Sequence, residues 1–269
     1  MTMQTASTAW LKSIGDVIEK GDRVDPRGSP TVEILNQTIC FDMNYPICHH
    51  QERKLSYAFM AAEAYWITSG SMFVDEIAPY NKHITQFSDD GHIFNGAYGP
   101  KVLNQINFVI NTLLKDHTSR QAVMTIWVPN PIKTKDYACT VSLQFLIRDG
   151  KLNVIANMRS NDLWLGRPYD MFNFTIIALK VLTEINATIV IDEDQDSIIR
   201  LGNMWLNAGS SHIYMKDLPR CDLMFKTPYD QLPTSKVPDM ALLSWRYITD
   251  SLLACRDGVE DPVLWKIRP

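Results

Sequence analysis

The chain has 269 residues, of which 46% are hydrophobic and 21% are charged, with a formal net charge of −4. This composition is ordinary for a globular protein with a sizeable core, and the slight acidity excludes a general attraction to nucleic acids or membrane surfaces. No linker, repeat or low-complexity run divides the sequence, so we expect a single domain over residues 1–269. An anionic small ligand would therefore need a local cluster of arginines.

The cysteine pattern argues against both disulfides and metal binding. There are five cysteines, an odd number, and no CxxC pair. His49 and His50 follow Cys48, but no second ligand cluster accompanies them, so a surface loop is expected there. The first residues lack a basic region followed by an apolar one, and no apolar run is expected to reach the ~18 residues of a membrane-spanning helix. We expect a cytoplasmic protein without membrane contact.

The first half of the chain alternates between helical, extended and turn-rich patterns. Hydrophobic periodicity predicts helices over residues 8–21 (capped by Ser7 or Thr8), 53–68 and 101–115. β-Branched runs predict strands over residues 32–41 and 122–128. Polar, turn-forming residues predict loops over 25–31, around Arg27, and over 81–99, the second covering a site. Glu63 lies among apolar neighbours in its helix, either at the surface or buried with a chemical task.

A β-hairpin is predicted at the centre of the chain. Two apolar, β-branched runs, Thr140–Arg148 and Lys151–Arg159, flank Asp149-Gly150. Asp-Gly is a strong signal for a type I′ turn, because that turn needs positive φ at both positions. After the hairpin, the pattern predicts a central apolar helix over 171–185, further strand over 198–215 and a C-terminal helix over 239–254. Strict βαβ alternation is missing, so the predicted fold class is α+β.

The pairing register of the hairpin decides which side chains meet at its open end. If Arg148 pairs with Lys151 and the pairing stays regular, Cys139 lies opposite Ser160. Strict alternation then places Cys139 and Arg159 on opposite faces of the sheet. Both can contact one ligand only if a strand bulges near that end, and we expect such a bulge.

Cys139 has three interpretations on its own residues. An arginine nearby would lower the pKa of its thiol and favour a nucleophilic thiolate. A lone cysteine is also commonly a small buried residue. A Cys–His hydrolase would need His212 as its partner, and nothing in the sequence links the two.

The sequence around the hairpin resembles the thymidylate synthase superfamily. The block that carries the resemblance is Cys139…Gln144-Phe145…Arg159-Ser160-Asn161-Asp162…Gly166…Pro168-Tyr169-Asp170. Further matching pieces occur in the family's order at Pro26-Arg27-Gly28, Glu63…Trp66…Gly70, Ala97-Tyr98-Gly99, Ser119-Arg120 and His212-Ile213-Tyr214. The resemblance implies a three-layer α/β fold with a large curved sheet, and an obligate homodimer packed sheet against sheet.

The resemblance also implies covalent chemistry on a pyrimidine nucleotide. Cys139 would attack C6, after which C5 takes a one-carbon unit from 5,10-methylenetetrahydrofolate, with no metal involved. Glu63 would organise water and protons near the base, and Tyr98 would assist with the C5 proton. The implied nucleotide ligands are Arg27, Arg159, Ser160 and the neighbouring subunit's Arg120 at the phosphate, and His212 and Tyr214 at the sugar. The implied folate contacts are Asp162, Gly166 and Tyr169.

Three positions depart from the synthase pattern. Ala138 stands where a proline usually precedes the nucleophile, and Gln121 stands where a second arginine usually follows Ser-Arg. Asp170 replaces an asparagine that pairs with the base. An amide matches uracil, whereas a carboxyl can match the N3 acceptor and N4 amino donor of cytosine. If Asp170 does more than cap the following helix, it predicts a cytosine base.

Aspartate at this position resembles the deoxycytidylate hydroxymethylases. The leading hypothesis is therefore conversion of dCMP, methylenetetrahydrofolate and water to 5-hydroxymethyl-dCMP and tetrahydrofolate, as in phage DNA modification. The alternatives are a thymidylate synthase or dUMP hydroxymethylase, and a CMP hydroxymethylase of nucleoside-antibiotic synthesis. A catalytically silent nucleotide- or RNA-binding relative is the alternative outside enzymes.

Overall fold

Six strands form one mixed sheet in the computed structural model, which describes residues 4–191, 198–236 and 243–259. The strands are β1 (Asp22–Val24), β2 (Thr31–Asp42), β3 (Val123–Thr125), β4 (Thr140–Arg148), β5 (Lys151–Asp162) and β6 (Arg200–Tyr214). Their order across the sheet is β1-β2-β6-β5-β4-β3. Every neighbouring pair is antiparallel except β5 and β6, which are parallel. The predicted α+β class is confirmed.

Helices cover the core face of this sheet. In the described residues they are α1 (Ala6–Lys20), α2 (Tyr57–Thr68), α3 (Val74–Ile77), α4 (Gly99–Lys115), α5 (Arg167–Ile191), α6 (Leu218–Phe225) and α7 (Trp245–Arg256). Helix α5 contacts β5, β6 and the helices α1, α2, α4 and α7, so it occupies the centre of the core. Its side chains from Met171 to Leu182 are almost all buried. The sheet's other face carries exposed apolar side chains, among them Leu35, Val141 and Trp205.

Helix α5 corrects the expectation that no segment is long and apolar enough to span a membrane. Arg167–Val190 passes that test by length and mean hydropathy. However, 72% of its most apolar window is buried inside the protein. Such burial is the property of a core helix, because a spanning helix would present its apolar surface to lipid.

Several element boundaries differ from their predictions because of local capping. Thr5 caps α1, rather than Ser7 or Thr8, since its hydroxyl accepts from the backbone N–H of Thr8. The predicted helix 53–68 begins only at Tyr57, where the Ser56 hydroxyl accepts from the Phe59 N–H. The first residues of the predicted helix 239–254, residues 239–242, lie outside the described residues, and α7 begins at Trp245.

The predicted loop at His49-His50 is present, but His49 is buried rather than at the surface. His49 is 4% exposed, and its ring nitrogens lie 2.9 Å from the Tyr57 hydroxyl and 2.8 Å from the Ser235 hydroxyl. Burial lowers the pKa of His49. A buried imidazole is tolerated here because both of its nitrogens have hydrogen-bonding partners.

The predicted hairpin is present and its turn has the expected geometry. Asp149 and Gly150 have φ values of 51° and 66°, both in the left-handed region. Arg148 pairs with Lys151, and the register is regular as far as Ser142 opposite Asn157. Positive φ at both central residues is what a type I′ turn requires.

The expected bulge lies at the open end of the hairpin. The register shifts between Thr140 and Ser142, so Thr140 pairs with Met158 rather than with Arg159. The backbone N–H of Arg159 then donates to the Cys139 carbonyl at 2.8 Å. Cys139 and Arg159 therefore lie directly opposite each other, and not on opposite faces as regular pairing would place them. The bulge prediction is confirmed.

The bulge is one of four irregularities, one in each of the neighbouring strands β2, β6, β5 and β4. Together they form an irregular line across the sheet. In β5 the even-numbered residues from Leu152 to Met158 are buried. Beyond the irregular line the odd-numbered Asn161 is buried instead. The same reversal of the buried face occurs in β2, β4 and β6. A strand with period two reverses its faces only where the regular repeat is interrupted. The interruptions lie at Asn36 (φ 54°), Val141, Arg159 and Gly209.

Close strand packing along this line explains a glycine in β6. A Cβ on Gly209 would lie 2.9 Å from the backbone oxygen of Arg159, closer than side chains approach backbone in practice. We expect Gly209→Ala to lower the free energy of unfolding by about 2 to 3 kcal/mol, because the parallel ladder must shift to admit the methyl group. The measurement is chemical denaturation at a fixed protomer concentration.

Gly150→Ala is the matched control for this prediction. No atom lies within 4 Å of a Cβ built there, so only the positive φ of 66° opposes the substitution. Its expected cost is about 1 kcal/mol. If Gly209→Ala costs no more than Gly150→Ala, close approach along the irregular line does not constrain the fold.

Candidate active site

Three predicted residues meet at the open end of the hairpin. The Cys139 sulfur lies 3.7 Å from Nη2 of Arg159 and 3.8 Å from the Ser160 hydroxyl. Cys139 is partly exposed, while its neighbours Ala138 and Thr140 are buried. The bulge brings the thiol and the guanidinium to one side of the sheet, as a shared ligand would require.

The guanidinium of Arg159 is held by backbone carbonyls rather than by a carboxylate. Nε donates to Ala138 O at 2.9 Å, Nη2 to Tyr137 O at 3.0 Å, and Nη1 to the Ser160 hydroxyl at 2.9 Å. The ring of Trp127 lies 5.8 Å from its central carbon. No carboxylate pairs with Arg159 in the part of the chain that the structure describes. An oriented, uncompensated cation of this kind suits an anionic ligand.

The thiol of Cys139 is not a thiolate at rest. Burial raises its pKa above the usual value, and the charge of Arg159 lowers the pKa by less than burial raises it. The expected lowering of the thiol pKa by Arg159 is present, but desolvation of the charged form outweighs it in the free protein. Deprotonation of Cys139 has to accompany ligand binding or attack.

Tyr98 lies against the same strand end. Its hydroxyl accepts from the backbone N–H of Thr140 at 3.1 Å, and the Thr140 hydroxyl lies at 3.0 Å. Burial and then the charges of Asp170 and Cys139 raise the pKa of Tyr98. The phenol therefore stays protonated at neutral pH close to the Cys139 thiol.

Two carboxyl groups with unusually high pKa values face this cluster. Burial raises the pKa of Glu63 to about 7, and that of Asp170 also to about 7. Glu63 accepts from Nδ2 of Asn173 at 2.7 Å, and Asp170 accepts from Nδ2 of Asn161 at 2.7 Å. The charge of Asp170 further raises the pKa of Glu63, so the two groups are close. Glu63 is half-buried, and its carboxyl is desolvated and bonded to Asn173, so it is not a freely solvated helix-surface residue.

The three predicted folate contacts lie where β5 ends, in the following turn and in the first turn of α5. Oδ1 of Asp162 accepts from the backbone N–H groups of Trp164 and Leu165 at 2.8 Å and 3.0 Å. The Gly166 carbonyl accepts from the N–H groups of Tyr169 and Asp170. The Tyr169 hydroxyl accepts from the Ser56 N–H at 3.2 Å, and its ring packs edge-on against Phe59.

The predicted sugar and phosphate residues lie on the neighbouring strands. Asp162 is opposite His212 in the parallel pair β5–β6, and the rings of His212 and Tyr214 pack edge-to-face at 5.4 Å. Burial, followed by the charge of Asp162, raises the pKa of Tyr214, while Arg27 lowers it. Arg27 is exposed, with a φ of 57°, in the turn before β2.

Arg120 is a predicted phosphate residue that the structure places far from Cys139. Its backbone oxygen accepts from the Gln144 amide at 2.9 Å. Gln144 lies five residues along β4 from Cys139, which is roughly 16 Å at the usual rise per residue. The Arg120 side chain is exposed. Within one chain, Arg120 is therefore remote from Cys139.

Three buried polar residues in the site escaped the sequence analysis. Arg167 is fully buried, Asn161 is 2% exposed and Asn173 is 3% exposed. The available signal for Arg167 and Asn173 was a polar residue in or beside a strongly apolar helix, since burying a polar group without a partner is costly. Asn161 was part of the matching block and carried no assigned role.

The groups near the turn fit a pterin. Asp217 contributes an Oδ2 atom that is buried without a hydrogen-bond partner among the described residues. Its charge raises the pKa of Asp162, so the two carboxyls are neighbours. A pterin ring presents amino and ring N–H donors, and unpartnered carboxyl oxygens accept such donors. Asp162 and Asp217 would hold that edge of the ring.

Comparison with known proteins gives a consistent family assignment. The thymidylate synthase family model matches residues 8–248. The chain is 29% identical over 232 residues to the deoxyuridylate hydroxymethyltransferase of Bacillus phage SP01. The aligned region covers 77% of this chain and 57% of that protein. It is 28% identical over 222 residues to the deoxycytidylate 5-hydroxymethyltransferase of Enterobacteria phage T4. That aligned region covers 78% of this chain and 86% of the phage protein.

The match extends over most of the chain, including the segments that carry Cys139, Arg159, Asp162 and Asp170. The resemblance inferred from short motifs is confirmed. The chain belongs to the thymidylate synthase family, whose relatives here are transferases acting on pyrimidine nucleotides.

Proposed function

We propose that this chain is a dCMP 5-hydroxymethyltransferase, which converts dCMP, 5,10-methylenetetrahydrofolate and water to 5-hydroxymethyl-dCMP and tetrahydrofolate. The observation that carries the proposal is the half-buried carboxyl of Asp170, which accepts a hydrogen bond from Asn161 and whose pKa of about 7 lets it be protonated near neutral pH. A protonated carboxyl donates to the N3 of cytosine and accepts from the N4 amino group. The relatives from phage T4 and phage T6 are named for the same substrate.

Cys139 is the nucleophile in this proposal. Its sulfur adds to C6 of the base, and C5 becomes a carbon nucleophile. Because the resting thiol is protonated, the proton has to leave as the bond forms. Arg159, at 3.7 Å, stabilises the thiolate that attacks. The folate supplies a methylene group at the oxidation level of formaldehyde.

Glu63 is the proposed group for water and proton transfer. A carboxyl with a pKa of about 7 exchanges a proton readily at neutral pH. Asn173 holds Oε2, which leaves Oε1 for the ligand side. Tyr98, whose phenol remains protonated, is the proposed hydrogen-bonding partner during loss of the C5 proton. Water, rather than hydride, then completes the hydroxymethyl group.

The proposed phosphate site combines two chains. Arg159, Ser160 and Arg27 belong to one chain, and Arg120 comes from the partner of a homodimer. Exposed apolar groups on the open face of the sheet, Leu35 at 70% and Trp205 at 36%, support burial against a second copy. His212 and Tyr214 are the proposed sugar contacts, and Asp162, Gly166 and Tyr169 the proposed folate contacts. The reaction is proposed for the cytoplasm.

A second candidate is hydroxymethylation of dUMP. It is favoured by the relative from phage SP01, which is named for deoxyuridylate and is 29% identical. A carboxyl with one protonated oxygen can also donate to the O4 of uracil and accept from its N3–H if it is turned the other way. The orientation of Asp170 toward the base separates the two candidates.

The substrate prediction is tested with dCMP, dUMP and CMP as separate substrates, each with methylenetetrahydrofolate. Mass spectrometry is expected to show 5-hydroxymethyl-dCMP, and no product from the Cys139→Ala variant. We expect Asp170→Asn to lower kcat/KM for dCMP by about 10²- to 10⁴-fold and to raise the relative use of dUMP, because the amide matches uracil. Turnover of dUMP alone contradicts the cytosine assignment, and a methyl product with dihydrofolate contradicts the hydroxymethyl assignment.

The shared phosphate site is tested by mixing two inactive variants. Cys139→Ala and Arg120→Ala homodimers are each expected to have little activity. In a mixed dimer, one site combines an intact Cys139 with an intact Arg120 from the partner. Random exchange of subunits should therefore restore roughly a quarter of the wild-type activity, since half of the dimers are mixed and one of their two sites is intact.

A mixture of Cys139→Ala with Arg159→Ala is the matched control. Both residues belong to the same chain's site at 3.7 Å, so no mixed dimer contains a complete site. Recovery in the first mixture and none in the second supports donation of Arg120 across the interface. Equal recovery, or recovery in neither mixture after verified exchange, contradicts it.

A further inference from the structure

The side chain of Asp170 ends a chain of hydrogen bonds that runs through the core. The first part of that chain is Arg167, whose guanidinium is fully buried. Its Nε donates to Oδ1 of Asn161, Nη1 donates to Oε1 of Gln37 at 2.9 Å, and Nη2 donates to the Ser211 hydroxyl at 2.6 Å. All three partners are neutral, so the cation is held in place without being neutralised by a direct ion pair.

Arg167 determines which way the Asn161 amide points. An arginine has only donors, so the group that faces it must be the amide oxygen. The amide nitrogen is then left to face Asp170, and it donates to Oδ2 at 2.7 Å. Gln37 also donates to the Ser13 carbonyl in α1 at 3.4 Å, which ties the far side of Arg167 to a helix. If the Asn161 amide were rotated by 180°, its NH₂ group would face the N–H of Arg167, and its oxygen would face the carboxylate oxygen of Asp170.

The contact between Asn161 and Asp170 has room because residue 166 is glycine. A Cβ on Gly166 would lie 3.3 Å from Oδ2 of Asp170 and 3.9 Å from Nδ2 of Asn161. The first of these distances is tighter than most Cβ contacts in proteins. Beside its predicted folate contact, Gly166 therefore leaves space for this hydrogen bond.

We propose that Asn161, oriented by Arg167, gives the two oxygens of Asp170 different roles and thereby sets which pyrimidine base the site accepts. Oδ2 becomes a permanent acceptor, because a proton on it would face the N–H of Asn161. The carboxyl proton is thereby assigned to Oδ1. Asn161 and Arg167 are positioning residues, since neither has to touch the base. The inference rests on the proposed function in one respect, namely that Asp170 contacts the base.

A carboxyl with fixed roles can match only one of the two bases. Cytosine presents an acceptor at N3 and a donor at N4, and uracil presents a donor at N3 and an acceptor at O4. One fixed donor beside one fixed acceptor fits one of these patterns and leaves the other unpaired. If both oxygens of Asp170 could carry the proton, the same carboxyl would fit either base. Asn161 removes that freedom.

The charged and titratable groups around Asp170 leave its carboxyl partly protonated and partly ionised near neutral pH. Burial raises its pKa to about 7, the Asn161 hydrogen bond and the Arg167 charge lower it, and the charge of Asp162 raises it. The other titratable groups that respond to the charge of Asp170 are Glu63, Tyr98 and Cys139. Loss of the Asn161 N–H should therefore raise the pKa of Asp170.

The test compares kcat/KM for dCMP and dUMP in the wild type and in Asn161→Ala. We expect the ratio between the preferred and the disfavoured base to fall by about tenfold or more in the variant, because either oxygen can then be protonated. The limb of the pH profile that reports Asp170 should move to higher pH by about one unit. An unchanged ratio with an unmoved limb overturns the inference.

Ser211→Ala is the matched control, since it removes a buried hydrogen bond to Arg167 from the strand position opposite Asn161 and leaves the Asn161–Asp170 contact itself in place. Its ratio is expected to stay within about threefold of the wild type, although its stability falls. A loss of discrimination as large as that of Asn161→Ala would show general loosening and would overturn the inference.

Asn161→Asp keeps the inference testable if Asn161→Ala does not fold. The aspartate keeps an acceptor for Arg167 but replaces the N–H with a carboxylate oxygen, which accepts a proton from Oδ2 of Asp170, so the ratio should fall or invert. The result is also distinguishable from failure of the proposed function. A wild-type preference for dUMP would refute the dCMP assignment. The inference about Asn161 would then still require that the ratio of kcat/KM between preferred and disfavoured base falls in the Asn161 variants.

Discussion

The site depends on one geometric constraint, the irregular line that crosses the sheet through Asn36, Gly209, Arg159 and Val141. Period-two strands keep alternate side chains on opposite faces unless their repeat is interrupted. The interruption reverses the buried face in four strands at the same level. Because of it, Cys139 and Arg159 share one side, while Asn161, two residues further on, turns into the core.

Burial is the second organising effect, and it acts in opposite directions on the acids and the cation. It raises the pKa of Glu63 and Asp170 to about 7 and lowers that of Arg167 to about 9. Neutral amides contact both carboxyls, Asn173 in one case and Asn161 in the other. Amide partners hold a carboxyl in place without forcing it to ionise as a direct ion pair would, which suits groups that exchange protons.

Much of the fold was predictable because it is local. The Asp149-Gly150 turn, the apolar helix that became α5 and the α+β class follow from turn chemistry and periodicity. The parallel pairing of β5 with β6 was not predictable, since the strands are separated by a 25-residue helix. The start of α2 was misplaced because the capping serine, Ser56, competes with several polar residues before it. The burial of His49 depends on Ser235, which is 186 residues away.

The sequence by itself determined the family, because the matching residues occur in short motifs whose order and spacing are characteristic. The same motifs predicted Cys139 as the nucleophile and Asp170 as the contact to the base. Tertiary structure alone decided how those groups behave. The protonated state of Cys139, the raised pKa values of Glu63 and Asp170, and the path from Gln37 through Arg167 and Asn161 to Asp170 arise from burial and from contacts between distant segments. Desolvation and hydrogen bonding depend on neighbours in space, which a linear pattern does not specify.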